Sequence, residues 1–315
     1  MAAPLAYSYV RYLHAKRGVD DRALNRVVLG QLREALGELP APPRVLELGA
    51  GVGTMVSRLC DLGWLTRARY TLIDSDRINL DAAAAHLRAW GGAAARDEGG
   101  ALVVRDAGRD LEARAVEADV FDWLAASDGG GAPYDLVIAN AFLDLVDVAA
   151  LLPLLWRRVA PGRPFWFSIN FDGETIFLPE HALDGQVSTL YHRDMDRRLH
   201  RGRPTGGSRT GRALLQQIPR SGARLLGAGS SDWVVLPSTN GGYPEDEGYF
   251  LQQILHTIET ALGGSPDIDA TSFGDWLDTR RGQIHRGELI FMTHQLDVFG
   301  RAPVRSPPPP AGPSP

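Results

Sequence analysis

The chain has 315 residues, 44% of them hydrophobic and 23% charged, which is typical of a globular protein with one large or two modest domains. Its net charge of −5 provides no basic field for a phosphate backbone and argues against nucleic acid as a partner. A single cysteine excludes an internal disulfide, and neither a signal-peptide pattern nor an apolar run of about 18 residues is present. We therefore expect a cytoplasmic protein without a membrane partner.

Residues 1–43 are predicted to form a helical segment that precedes the sheet. Apolar and aromatic side chains recur there at helical spacing, and Asp20 and Asp21 can cap a second helix. A run of prolines ending at Pro43 closes the segment.

The stretch from Arg44 to Thr54, RVLELGAGVGT, predicts a buried strand, a glycine turn and the start of a helix. Gly49, Gly51 and Gly53 permit positive φ and leave the backbone bare, so a ligand can lie directly against it. The new helix points unpaired N–H groups into the same space. This pattern favours a nucleotide-like or carboxylate-bearing ligand.

Four further apolar strands are predicted in chain order, at 70–73, 114–118, 134–139 and 164–169, with a surface insertion at 91–114. The first three end at Asp74, Asp119 and Asn140. Strands that alternate with helices predict a parallel sheet with helices on both faces, and ligands bind such sheets at the carboxyl ends of the strands. Asp74 suits the two hydroxyls of a ribose, because carboxylate oxygens only accept hydrogen bonds.

An acid at Glu47 followed by G-x-G-x-G resembles the first motif of class I S-adenosylmethionine (SAM) dependent methyltransferases. Dinucleotide sites carry a third glycine one position later, where this chain has Thr54. The resemblance extends to about Asn170. It implies an α/β, Rossmann-like, doubly wound, seven-stranded sheet, mostly parallel with the last strand antiparallel, with N-terminal helices and a helical cap.

The same resemblance implies SAM as the cofactor, with the glycine loop under its methionine part. It also implies that Asp119 accepts from the adenine amino group and that the Val120 N–H meets a ring nitrogen. Arg11, Lys16 and Arg22 are either ligands of the SAM carboxylate or solvated helix charges. The expected cofactor-binding residues are Glu47, Gly49, Ala50, Gly51, Gly53, Asp74, Ser75, Asp119, Val120 and Asn140.

The methyltransferase domain is expected at 44–300, with cap insertions at about 171–207 and 246–286 and a disordered proline-rich tail at 301–315. His192 lies one helical turn from Asp196, so it is the leading candidate for a general base, with His181 as the second. The alternative for this pair is a solvated helix face. No spacing of ligands supports a metal site.

A cap of this kind predicts a small-molecule methyl acceptor, because it encloses the acceptor and excludes water. Asn140 is followed by Ala-Phe-Leu and not by the paired prolines of base and glutamine N-methyltransferases, so an exocyclic or amide nitrogen is disfavoured. Three alternatives stay open: a protein or peptide methyltransferase, a non-catalytic SAM-binding partner subunit, and an NAD-dependent dehydrogenase. Both a monomer and a homodimer are compatible with the sequence.

Overall fold

A computed structural model describes residues 7–126 and 132–304. The helices are α1 Tyr9–Ala15, α2 Arg17–Ala23, α3 Arg26–Leu36, α4 Thr54–Asp61, α5 Arg77–Gly91, α6 Val120–Ala125, α7 Val148–Leu155, α8 Asp184–Arg197, α9 Thr210–Arg220, α10 Glu247–Leu262 and α11 Ala270–Arg286. The strands are β1 Arg44–Leu48, β2 Arg67–Asp74, β3 Ala95–Glu98, β4 Ala101–Arg105, β5 Asp110–Glu117, β6 Leu136–Asn140, β7 Pro164–Leu178, β8 Leu199–His200, β9 Arg203–Pro204, β10 Arg224–Ser230, β11 Trp233–Val235 and β12 Ile290–Arg301.

One large sheet organises the chain, in the order β10-β12-β7-β6-β1-β2-β5-β4-β3, with β11 paired to β12. The five strands from β7 to β5 are mutually parallel, while β12 runs antiparallel to both of its neighbours. The prediction of seven strands is wrong, because the sheet has ten. The predicted insertion at 91–114 supplies the antiparallel hairpin β3–β4, which extends one edge of the sheet.

Helices cover both faces of the sheet, because strand side chains alternate between two apolar clusters. In β1, Val45 belongs to the cluster beneath α3, α4, α10 and α11, whereas Leu46 and Leu48 belong to the cluster beneath α6, α7 and α9. Residues of β1 on both faces are therefore buried, as its continuous apolar sequence predicts.

The first cap insertion begins with a strand. β7 continues to Leu178, beyond its predicted end near Ile169, and pairs with β12 along most of this extension. Irregular backbone at Ile169 and Gly173, both with positive φ, accompanies breaks in this register. α8 and the short β8–β9 hairpin follow, so the insertion folds back over the carboxyl ends of the parallel strands.

The N-terminal segment contains three helices, where one or two were predicted. Asn25 caps α3 through hydrogen bonds to the backbone N–H groups of Val27 and Val28. Asp20, a predicted cap, is instead buried inside α2. The tail was predicted to begin at Arg301, but this residue ends β12, and the part of the tail from 305 onward lies outside the described residues. No helix in the described ranges combines the length and apolar character needed to cross a bilayer.

Candidate functional site

A cavity of about 470 Å³ lies at the carboxyl ends of the parallel strands. The tips of β1, β2, β5 and β6 form its floor, and residues from α1, α8, α10 and β11 form its opposite wall. Nine of the ten predicted cofactor residues line it: Glu47, Gly49, Ala50, Gly51, Asp74, Ser75, Asp119, Val120 and Asn140. The cavity thus unites residues that are up to about a hundred positions apart in the sequence.

The glycine turn is held in a conformation that only glycine adopts easily. Gly49, Gly51 and Gly53 have φ values of +61°, +53° and +71°. A Cβ at Gly49 would lie 2.2 Å from Phe142 Cδ2, and one at Gly51 would lie 3.2 Å from Leu13 Cδ1. Both contacts are made with residues that line the cavity.

Gly53 is the one predicted cofactor residue that does not line the cavity. It precedes α4, and a Cβ there would lie 3.2 Å from the Cβ of Ala83 in α5. The third glycine therefore allows the turn to pack closely against the neighbouring helix.

Asp74 fastens the glycine turn to the tip of β2. Its Oδ2 accepts a hydrogen bond of 2.8 Å from the Gly51 N–H, and its Oδ1 accepts from the Asp76 N–H at 2.9 Å and from Asn79 Nδ2 at 3.2 Å. Each carboxylate oxygen has about two acceptor positions, so Oδ2 keeps capacity for a hydroxyl donor. Asp74 can therefore hold the turn and a ribose together.

Glu47 is a buried acid on the cavity wall, with 3% of its surface exposed. Its Oε2 has no hydrogen-bond partner among the described residues. Burial raises the pKa of Glu47 to about 8, against the opposing charge of Arg58 and with a further contribution from Asp74. At neutral pH the side chain is mainly protonated, so it can donate as well as accept a hydrogen bond.

Asp119 has partners that were not predicted from the sequence. Its Oδ1 caps α6 at the Phe121 N–H, and its Oδ2 lies 2.6 Å from His200 Nε2, on the β8–β9 hairpin. Arg201 adds a contact of 3.0 Å. Burial disfavours the carboxylate, but the hydrogen bonds from His200 and the backbone outweigh it and keep the pKa of Asp119 below its ordinary value. His200 also lines the cavity, so the hairpin closes this end of the site.

Lys16 is the only one of the three basic residues considered in the N-terminal segment that lines the cavity. It is 8% exposed, and its Nζ lies 3.2 Å from Asp20 Oδ2. Arg11 pairs with Asp246 and Arg22 with Glu247, outside the cavity lining. Lys16 is thus the cation that the N-terminal helices bring to the site.

Neither histidine proposed as a base lies in this cavity. His192 Nε2 is 2.9 Å from Thr175 Oγ1, and its ring packs edge-on against Phe171 at a centroid distance of 5.2 Å. Both histidines line a separate cleft beside β7. The structure thus places neither ring on the lining of the main cavity, although Thr175, the partner of His192, lies on that lining. Their role as a base stays a prediction.

The expected His192–Asp196 hydrogen bond does not form. Asp196 Oδ1 accepts instead from the Ser208 N–H at 2.8 Å, which fixes the loop after β9. His181 Nδ1 accepts from the Leu183 N–H at 3.2 Å at the start of α8. Helical spacing placed the side chains on one face, but the tertiary partners of that face determine their contacts.

Among the described residues, no group of three histidine, cysteine or acidic side chains has the arrangement of a metal site.

No family model and no curated protein matches the sequence. Solved structures that resemble the chain include a SAM-dependent methyltransferase from Thiobacillus denitrificans in complex with S-adenosyl-L-homocysteine, with 17% identity, coverage of 92% of this chain and 98% of that one, and a TM-score of 0.44. A SAM-dependent methyltransferase from Methanosarcina mazei has 11% identity, coverage of 90% and 99%, and a TM-score of 0.45. The cyclase SpnF has 15% identity, coverage of 87% and 82%, and a TM-score of 0.43. At these values, the function has to be inferred from the site itself.

Replacing Gly49 by alanine should destabilise the protein more than the same change at Gly63. Both glycines have positive φ, so both variants carry the same left-handed strain, but no atom lies within 4 Å of a Cβ at Gly63. The added clash with Phe142 should lower the free energy of unfolding of Gly49→Ala by about 1–3 kcal/mol more. Equal losses in denaturant titrations would show that the turn is not confined by Phe142.

Replacing Glu47 by glutamine should change how stability depends on pH. The pKa of Glu47 is raised from 4.5 to about 8, so the folded protein binds more protons here than the unfolded chain between these values. Glu47 therefore lowers the unfolding free energy of the wild type as the pH rises through that range. The unfolding free energy of Glu47→Gln, relative to that of the wild type, should rise between pH 5 and pH 8. A difference in unfolding free energy that stays constant over that range would contradict the buried, protonated acid.

Proposed function

We propose that this chain is a SAM-dependent methyltransferase that acts on a small molecule. The observation that carries the proposal is the convergence of the glycine turn, Asp74 and Asp119 on one cavity, in the positions that the resemblance to class I methyltransferases implies. This arrangement supports SAM because the cavity offers separate partners for each chemically distinct part of that molecule.

The proposed binding mode assigns one wall to each part of SAM. The ribose hydroxyls donate to Asp74, whose Oδ2 keeps acceptor capacity beside its bond to Gly51. The adenine lies near Val120 and Asp119, at the end closed by His200. The carboxylate lies near Lys16 and the start of α4, where unpaired backbone N–H groups and the helix dipole favour an anion.

Glu47 gives independent support for a fit between SAM and this cavity. Its buried Oε2 lacks a partner in the described chain, and such a group is destabilising unless a ligand or water supplies the missing hydrogen bond. The residue lies under the glycine turn, so the amino group of SAM is the donor that this position would receive.

The protein has to supply little of the chemical activation in this reaction. SAM supplies a methyl group that is already activated on a sulfonium. The chain's own residues then have to orient the acceptor, exclude water and receive a proton where one is released. Helices α1, α8 and α10 provide the enclosure, because their side chains form the wall opposite the strand tips.

The enclosure also supports a small acceptor. The cavity volume of about 470 Å³ lies within the usual range for small-molecule sites of about 300–1,000 Å³. The same cavity also has to contain the cofactor, which limits the space for the acceptor. A protein or peptide acceptor would need an open groove leading to the same point.

Calorimetry should therefore detect binding of SAM and S-adenosyl-L-homocysteine but not of NAD. Asp74→Asn keeps the shape of the side chain but removes its charge, and it should weaken SAM binding by about 1–3 kcal/mol. Asp278→Asn is a matched control, because Asp278 is exposed on α11 and does not line the cavity. Binding of NAD without binding of SAM, or equal SAM affinity in both variants, would contradict the proposal.

A further inference from the structure

Asp144 is a cavity carboxylate that forms no salt bridge with any residue that the structure describes. Asp144 lies four positions beyond the tip of β6, and it lines the cavity. Its Oδ1 is buried and accepts no hydrogen bond from any residue that the structure describes. A buried acceptor left in this state is destabilising until a ligand or water provides a donor.

Two cations that line the cavity with Asp144 are engaged with other acids. Burial raises the pKa of Asp144, and the charges of Lys16 and Arg198 oppose this effect. Lys16 Nζ pairs with Asp20 at 3.2 Å, and Arg198 donates to Asp194 Oδ2 from Nε at 2.9 Å and from Nη2 at 2.8 Å. Neither cation forms a salt bridge with Asp144 among the described residues, so no direct ion pair neutralises its carboxylate.

Tyr9, Tyr12 and Tyr191 line the same cavity as Asp144. Burial raises the pKa of all three, and the negative charge of Asp144 contributes to each shift. The Tyr12 ring stacks with Tyr9 and Phe250, and Arg198 lies over the Tyr191 ring, so Tyr12 and Tyr191 offer their hydroxyl oxygens and not free ring faces. Phenol oxygens accept hydrogen bonds, so this wall, together with the Asp144 carboxylate, suits a positively charged group that carries N–H donors.

We propose that the methyl acceptor is a small basic amine whose nitrogen donates a hydrogen bond to Asp144 and lies against these tyrosines. The inference rests on the proposed function, because Asp144 lies four positions beyond Asn140, in the cavity that the proposal assigns to SAM. A hydroxyl acceptor would satisfy the hydrogen bond but would leave the charge of Asp144 without compensation.

Methyl transfer to an amine balances with SAM as the methyl donor and Asp144 as the proton acceptor. The ammonium form binds and transfers one proton to Asp144, and from there the proton passes to solvent. The nitrogen lone pair then forms the new N–CH₃ bond while the C–S bond of the sulfonium breaks and sulfur keeps the electron pair. The product is a methylated ammonium ion, so the same carboxylate faces a cation before and after the transfer.

The test compares two probes of similar shape in the complex with S-adenosyl-L-homocysteine. Isopropylamine is cationic at neutral pH, whereas isopropanol is neutral, and saturation-transfer NMR titrations give a Kd for each. We expect isopropylamine to bind the wild type more tightly, and Asp144→Asn to weaken that binding about tenfold or more, because a hydrogen bond to a charged group is lost. The Asp278→Asn control should bind isopropylamine like the wild type.

Separate affinities for SAM and S-adenosyl-L-homocysteine distinguish the possible failures. If the wild type binds neither, the proposed function fails. If Asp144→Asn weakens SAM but not S-adenosyl-L-homocysteine and leaves isopropylamine unaffected, Asp144 serves the sulfonium and the amine inference is overturned. Equal binding of the two probes by the wild type also overturns it, and this comparison needs no variant.

Discussion

The site depends on a backbone constraint at the end of β1. Gly49 and Gly51 are held at positive φ, where a Cβ at Gly49 would clash with Phe142 and a Cβ at Gly51 would crowd Leu13. The Gly51 N–H is also fixed by the carboxylate of Asp74 at 2.8 Å. The turn therefore joins the tip of β1 to the tip of β2, to the segment after β6 and to helix α1, and its bare backbone forms the floor against which a ligand can lie.

The roof of the cavity is assembled from segments outside the parallel strands. α1 contributes Tyr12, the junction between α1 and α2 contributes Lys16, α8 contributes Tyr191, and the β8–β9 hairpin contributes His200. The hairpin contact with Asp119 connects the roof directly to the floor at 2.6 Å. Because several independent elements meet here, the chain can enclose a ligand while the sheet beneath it stays rigid. In the proposed binding mode, the floor holds the ribose and the adenine, and Lys16 of the roof meets the carboxylate of SAM.

The floor could be predicted from the sequence because its residues are tied to local patterns. A short apolar run followed by glycines, or by an acid, marks the end of a parallel strand, and all such ends meet at one edge of a sheet. This pattern predicts Asp74 and Asp119, and the resemblance to the first motif of class I methyltransferases adds Glu47; each of the three lines the cavity. Among the strands beyond the predicted seven, β3 has the polar sequence ARDE without an alternating pattern, whereas β4 contains the apolar, strand-like run Ala101–Val104.

The roof could not be predicted in the same way, because its contacts join elements that are distant in the sequence. His192 and Asp196 lie on neighbouring positions of one helix, yet their partners are Thr175 and Ser208. The pairing of His200 with Asp119 spans 81 positions. One signal was Gly202, which suits one of the two positive-φ positions of a two-residue hairpin turn, whereas Arg201 is atypical at the other. Helical spacing predicts which side chains share a face, but not which element covers that face.

The most direct test of the account is a crystal structure of the protein grown with S-adenosyl-L-homocysteine. The account predicts that the ribose lies within hydrogen-bond distance of Asp74, with the adenine toward Val120 and the thioether sulfur toward Asn140 and Asp144. Ligand density that lies outside this cavity, or that leaves Asp74 without a ribose contact, would contradict it.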